Sequence, residues 1–324
     1  MGRLLEVRDL GVVYATRQGP LAAVSQVSFT LDKGRSLGLV GESGSGKSSI
    51  GAAIVGLLPD SAIATGQIRF NGIDLLTADA QTLQQIRWKR IAMIFQAAMN
   101  ALNPIQRVGD QILEAIRMHE PDFDPNAAAV RVNALFDLVG LPRRRRNDYP
   151  HQYSGGMRQR AVIAMALACR PEMIIADEPT SAMDVIVQAQ VLATLGKLQR
   201  THGTGILFIS HDISVVAEVC HDIAVLYGGH IVEIGTCREV LETPVHPYTR
   251  SLLAAHIPLG RIRTAQAAII GPPPDPASRQ PCCCFQARCE RADNGCNRQS
   301  PHWHRISDTH RVLCRHSAKI AVEF

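Results

Sequence analysis

The chain has 324 residues, 46% hydrophobic and 19% charged. That suffices for one large buried core with a smaller domain, and is unlike a disordered or membrane-spanning composition. Net charge is +5, and the residues from Arg261 onward hold 10 Lys+Arg against 5 Asp+Glu, so the whole excess lies in the tail. A neutral body with a basic tail argues against general nucleic-acid binding.

The opening "MGRLLEVRDLGVVY" has no long apolar core and no small-residue cleavage site, so no secretory signal is expected. The apolar run Ala161–Cys169 is far shorter than the about 20 residues a spanning helix needs. A soluble, cytosolic protein is the expectation. Residues 1–80 read as short strands and turns around one helix. "SLGLV" (Ser36–Val40) is a compact apolar strand that runs into a Gly-rich turn and a helix starting near Lys47. A helical pattern covers Asp79–Val139, and a further helix is predicted over Arg158–Ala168. "MIIAD" (Met173–Asp177) and "GILFIS" (Gly205–Ser210) are buried strands, and "IAVLYGGHIVEIG" is a hairpin turning at Gly228–Gly229. Strands alternating with helices predict an α/β fold with a mostly parallel sheet covered on both faces. "GPPPDP" (Gly271–Pro276) is a stiff boundary segment before the cysteine-rich tail.

"GESGSGKS" (Gly41–Ser48) fits the pattern of a phosphate-binding loop, and its flanking strand and helix are the required context. Its glycines let backbone N–H groups curl around phosphate oxygens, and the helix presents its positive end to the same charge. Lys47 is placed to reach the β- and γ-phosphates, and Ser48 to bind magnesium. In "MIIADEP", Asp177 ends an apolar strand where a carboxylate reaches the magnesium shell. Glu178 beside it is a candidate general base or water-orienting group. A lone "DE" after a strand is usually a solvated strand end; the upstream loop changes that weighing.

With "YSGGMRQR" (Tyr153–Arg160) between these motifs, the chain resembles the ATP-binding cassette (ABC) ATPases over residues 4–255. The resemblance implies a P-loop NTPase cassette: a RecA-like core, an antiparallel β subdomain and a helical subdomain at about residues 85–160. It implies ATP bound by Gly41, Ser43, Gly44, Gly46, Lys47, Ser48 and Ser49, with Tyr14 stacked on adenine. Magnesium would be held by Ser48, Gln96 and Asp177. Catalytic roles fall on Glu178, Gln96 of the Q-loop and the switch histidine His211, and "SAMD" ending at Asp184 resembles the D-loop. Ser154, Gly155 and Gly156 would complete the ATP site of a second cassette. Two departures stand out: Met157 where the signature commonly has Gln, and "FQAAMNALNP" with alanines where an acidic residue and a proline are common.

Together with "ALNP" and "HPYTRSLL", these motifs are similar to the ATP-binding subunits of bacterial dipeptide/oligopeptide/nickel importers. That implies a peripheral protein on the cytoplasmic face of the inner membrane, hydrolysing ATP to drive peptide uptake. Its partners would be a second homologous ATPase subunit, two permease subunits and an extracytoplasmic binding protein. Nickel or another small solute is the alternative cargo. A soluble regulatory ATPase with a zinc-binding tail is the alternative of another class. The implied division is a cassette over 1–255 and an importer-type extension over 256–324. "PRRRR" (Pro142–Arg146) reads as a solvated loop rather than a lipid contact.

Five of nine cysteines fall within "CCCFQARCERADNGC" (Cys282–Cys296). Disulfides conflict with a reducing cytosol. Cys283, Cys289, Cys296 and Cys314 are separated by five, six and seventeen residues. Their resemblance to the four-cysteine tail of the importer ATPases implies a 4Fe–4S cluster, with Cys282 and Cys284 competing for the first position. Zinc, with His302, His304, His310 or His316 completing the site, is the alternative.

Overall fold

The computed structural model describes residues 2–95, 101–122, 124–180, 183–256, 271 and 282–320. The chain divides into two compact units. One comprises Met1–Leu4, Asp32–Arg35 and Ala78–Leu207; the other comprises Leu5–Leu31, Ser36–Thr77 and Phe208–Phe324. Each is described by itself.

The second unit begins with two long strands, β1 (Arg3–Thr16, all but its first two residues) and β2 (Gly19–Asp32). After β3 (Ser36–Val40) and helix α1 (Lys47–Ile54) come β4 (Ala62–Phe70) and β5 (Ile73–Asp74). One sheet runs in the order β2-β1-β4-β5. In it β1 and β4 are antiparallel, from Leu5 opposite Phe70 to Tyr14 opposite Ala62, with a bulge between Arg8 and Gly11. Its apolar side chains Leu5, Val7, Leu10, Val12, Val27, Phe29 and Leu31 are buried and alternate with exposed ones, as a half-covered sheet requires.

The first unit is mostly helical. It holds α2 (Ala80–Ile86), β6 (Ile91–Ile94), α3 (Val108–His119), α4 (Pro125–Leu138), α5 (Gly155–Ala166), β7 (Met173–Asp177) and α6 (Val185–His202). Each of four starts has a physical cause: Asp79, Asp124, Ser154 and Asp184 each accept a backbone N–H of the first turn. β6 and β7 pair in parallel, Ile91 with Met173 through Ile94 with Ala176. Three of the four arginines at 143–146 are held within this unit: Arg143 by Asp137, Arg145 by Asp148 and Arg146 by Asn133.

Strand β8 (Gly205–Ser210) returns the chain to the second unit. There follow α7 (Ile213–Val219), β9 (Asp222–Tyr227), β10 (His230–Thr236), α8 (Cys237–Glu242), α9 (Pro247–His256), β11 (Trp303–Arg305), β12 (Arg311–Leu313) and α10 (Ser317–Ile320). β3 and β9 are parallel, Leu37 with Asp222 through Val40 with Val225. From β9 outward the pairing is antiparallel through β10, β12 and β11. The sheet is therefore mixed rather than mostly parallel. The cause is the Gly228–Gly229 turn, with φ of 53° and 81°: a two-residue link joins only antiparallel strands.

The C-terminal hairpin is tied to β10 by a buried carboxylate. Glu233, fully buried, accepts the backbone N–H of Val245 (2.8 Å) and of His246 (2.9 Å) and meets His310 Nε2 at 2.7 Å. Glu233→Ala should strand these buried donors and cost about 3–5 kcal/mol. Urea denaturation of the whole chain measures it, and a loss below about 1 kcal/mol, the size of an ordinary hydrogen bond, would refute this structural role.

Candidate functional site

The phosphate-binding loop lies between β3 and α1. All five residues of β3 are buried, so the strand end is fixed and the loop leaves it at a set height. A Cβ at Gly41 would collide with the Leu226 carbonyl, and one at Gly46 with the Ala23 carbonyl, where φ is also 99°. Only glycine lets the loop close this tightly. Helix α1 has Gly46 at its N-cap, which offers no side-chain oxygen to cap the first turn. That end suits a phosphate.

Lys47 is buried, and its ammonium donates to the Gly41 carbonyl (2.7 Å), the Glu42 carbonyl (2.8 Å) and Ser45 Oγ (3.3 Å). The positive charge is thus held inside the loop by its own acceptors. Ser43, Gly44 and Ser48 are exposed at the loop surface. Tyr14, on β1, hydrogen-bonds Ser49 Oγ at 2.9 Å, which brings two of the sequence-nominated residues together. His211 is exposed immediately after β8, where Asp212 caps α7.

Two further residues meet this loop that the motif reading did not assign to it. The Glu42 N–H donates to the Tyr248 hydroxyl at 3.0 Å. Its carboxylate receives a two-pronged bond from Arg288, Nη1 to Oε2 at 2.8 Å and Nη2 to Oε1 at 3.1 Å. Tyr248 belongs to "HPYTRSLL", where the N–H of Tyr248 donates to His246 Nδ1 at 3.1 Å. Burial lowers His246 to about 4, so the ring is neutral and its nitrogen free to accept. The only sequence signal for Tyr248 was its place in that motif; Arg288 had none.

The first unit carries the other nominated groups. Asp177 is buried at the end of β7. Glu178 follows it half-buried with φ of 46°, a left-handed conformation that a glutamate adopts only when its surroundings impose it. Ser154 caps α5 through the N–H of Met157 (3.3 Å), Gly155 is exposed and Gly156 is half-buried. Gln159, buried on the same helix, donates to the Pro179 carbonyl at 2.9 Å. The signature helix is thereby fastened to the turn after Glu178. Gln96 lies outside the described residues.

A family model described as "ABC transporter" matches residues 24–181, and one described as "Oligopeptide/dipeptide transporter, C-terminal region" matches residues 232–296. The oligopeptide transport ATP-binding protein OppD of Salmonella typhimurium is 44% identical over 92% of this chain and 89% of its own length. This chain belongs to the family of ABC-transporter ATP-binding proteins. The dipeptide transport ATP-binding protein DppD of Bacillus subtilis is 43% identical over 97% of this chain and 95% of its own. A solved dimeric ATP-binding cassette in a post-hydrolysis state, bound to ADP and phosphate, superposes with a TM-score of 0.66 at 27% identity, covering 72% of this chain and 99% of that one. The chain is an ABC ATPase with the cassette's α/β fold, and ATP with magnesium is the chemistry of its family. No helix among the described residues is long and apolar enough to cross a membrane.

The iron–sulfur expectation is corrected. Cys283, Cys289, Cys296 and Cys314 do line one small cavity with His316. Yet the only group of three or more metal-ligating side chains whose atoms converge within 4.8 Å among the described residues is Asp293, Cys296 and His316, which includes one thiol rather than four. Burial pushes Cys283 up to about 11 and raises Cys289 and Cys314 as well. The relatives are described by ATP binding and peptide transport. Density of cysteines along the chain did not translate into a four-thiolate cage.

Proposed function

We propose that this chain hydrolyses ATP to drive the uptake of di- or oligopeptides across the bacterial inner membrane, as one ATP-binding subunit of a larger importer. The observation that carries this is the high identity to peptide-transport subunits over more than nine-tenths of the chain, joined to the C-terminal match at residues 232–296. Its partners on this reading are a second homologous ATPase subunit, two permease subunits and an extracytoplasmic binding protein, and it sits peripherally on the cytoplasmic face. The cassette covers residues 1–255 with its helical subdomain at about 85–160, and residues 256–324 form a peptide-importer-type extension.

The roles follow the order of the motifs. Gly41, Ser43, Gly44, Gly46, Lys47, Ser48 and Ser49 hold the phosphates, and Tyr14 packs on adenine. Ser48, Gln96 and Asp177 would hold magnesium, which when bound offsets phosphate charge. Glu178 orients or deprotonates the attacking water. His211 contacts the γ-phosphate and responds to its loss. Ser154, Gly155 and Gly156 serve the nucleotide on a partner cassette, so half of each site comes from another subunit.

The test is co-expression with the candidate permeases and partner ATPase, followed by ATPase assay in proteoliposomes. Turnover should be low for the isolated chain and rise on assembly, and rise further with binding protein loaded with peptide. Stimulation by nickel-loaded but not peptide-loaded binding protein would overturn the cargo, and robust turnover by dilute isolated chain would overturn the shared site.

A further inference from the structure

Glu42 is the second residue of "GESGSGKS", and all three of its polar groups are engaged. Its N–H donates to Tyr248, its carbonyl accepts from Lys47 (2.8 Å), and its carboxylate is gripped by Arg288 from the C-terminal tail. Arg288 is nearly inaccessible, its side chain 8% exposed, and Nη1 also reaches the Tyr227 hydroxyl at 3.2 Å. Its guanidinium lies 5.6 Å from the centre of the Tyr227 ring. Phe285, three residues earlier, packs edge-on against Tyr227 at 5.0 Å and tilted against Tyr248 at 5.4 Å. The tail therefore reaches the loop through a rigid aromatic block and a planar fork, both of which fix geometry rather than merely add charge.

We infer that Arg288 is a positioning residue for ATP binding: it holds Glu42 and cancels its charge, so that the docked tail sets the shape and potential of the phosphate-binding loop. Two physical effects act together. A carboxylate at this place in the loop repels a triphosphate unless a cation offsets it. The carbonyl of the same residue accepts from Lys47, so displacement of Glu42 also displaces the ammonium that meets the phosphates. Both effects act on binding of the nucleotide, because both act through Glu42 and Lys47 of the loop. By linkage, nucleotide in the loop must tighten the docking of the tail by the same factor by which the tail tightens nucleotide.

The inference rests on ATP binding and not on the cargo, so the binding assay on the isolated full chain reads it separately from transport. Arg288→Gln should raise the Kd for ATP about tenfold, a usual scale for coupling between two sites. In the assembled transporter, KM for ATP should rise by a similar factor while kcat stays within about twofold, the pattern of a lost binding contribution. Arg288→Lys keeps the charge but loses the fork and should fall between the two. Arg305→Gln removes a tail cation that is exposed and pairs with Asp308, and should leave the Kd unchanged. An unchanged Kd in Arg288→Gln overturns the inference, as does an equal loss in Arg305→Gln, which would assign the effect to tail charge in general. Thermal melting accompanies each variant. If Arg288→Gln melts early, Arg288→Lys decides: wild-type affinity in that variant overturns the role of the fork.

Discussion

Replacing Glu178 by Gln is expected to lower ATP turnover of the assembled transporter by about 10²–10⁴-fold, the range general acid–base groups contribute. The substitution is nearly isosteric and keeps one oxygen acceptor, so the half-buried position at φ of 46° should be retained. What is lost is the carboxylate's negative charge and its capacity to take a proton from water. ATP should still bind, because Glu178 is not part of the loop from Gly41 to Ser48. Binding without hydrolysis predicts accumulation of an ATP-bound dimer, visible by size-exclusion chromatography with ATP present. Phosphate release within about threefold of wild type in the complete complex would remove Glu178 from the catalytic role, since a loss that small is less than one factor of ten in rate.

The legible parts of this chain are those whose signal is local. β3, β7 and β8 have the bounds read from their apolar runs, since strands buried on both faces need no alternation to be recognised. The helix after the loop starts at Lys47 because Gly46 leaves the helical conformation there. The signature helix begins at Gly155, earlier than the predicted Arg158, because Ser154 is a cap and not merely part of a motif. The length of β1 was hidden for a physical reason. Asp9 turns to φ of 46° at a bulge, which breaks the period-2 pattern in mid-strand.

What the sequence hid are contacts between distant segments. Glu42 and Arg288 lie 246 residues apart, and no periodicity or spacing links them. Glu233 and His310 are 77 apart, each unremarkable in its own segment. Motif order singled out the loop Gly41–Ser48, but the Arg288 that grips its Glu42 belongs to a tail whose visible feature was its cysteines. Those cysteines drew a metal reading from their density and their resemblance to a four-cysteine tail, both visible in one dimension, whereas the directions of thiols depend on packing.

Lys47→Ala should act on the other half of the reaction, weakening nucleotide binding itself. Lys47 is 5% exposed, and its ammonium is held by the Gly41 and Glu42 carbonyls at 2.7 and 2.8 Å. A charge kept this dry interacts with phosphate oxygens more strongly than one in water, because screening is weak. Charge-assisted hydrogen bonds contribute about 1.5–3 kcal/mol each, so losing the contact to phosphate predicts a Kd for ATP raised by about 100-fold. The alanine also removes the ammonium bond from the Gly41 and Glu42 carbonyls, of which Glu42 keeps the Ser45 N–H, and this loosens the loop before any nucleotide arrives. ATP at a given concentration should then raise the melting temperature of the chain much less, since a ligand at concentration L stabilises by RT ln(1 + L/Kd). Titration with a fluorescent ATP analogue measures the Kd directly, and the same titration on Glu178→Gln should give wild-type affinity. A Kd for Lys47→Ala within about threefold of wild type, under 1 kcal/mol, would mean that the ammonium stays with its own carbonyls and does not bind phosphate.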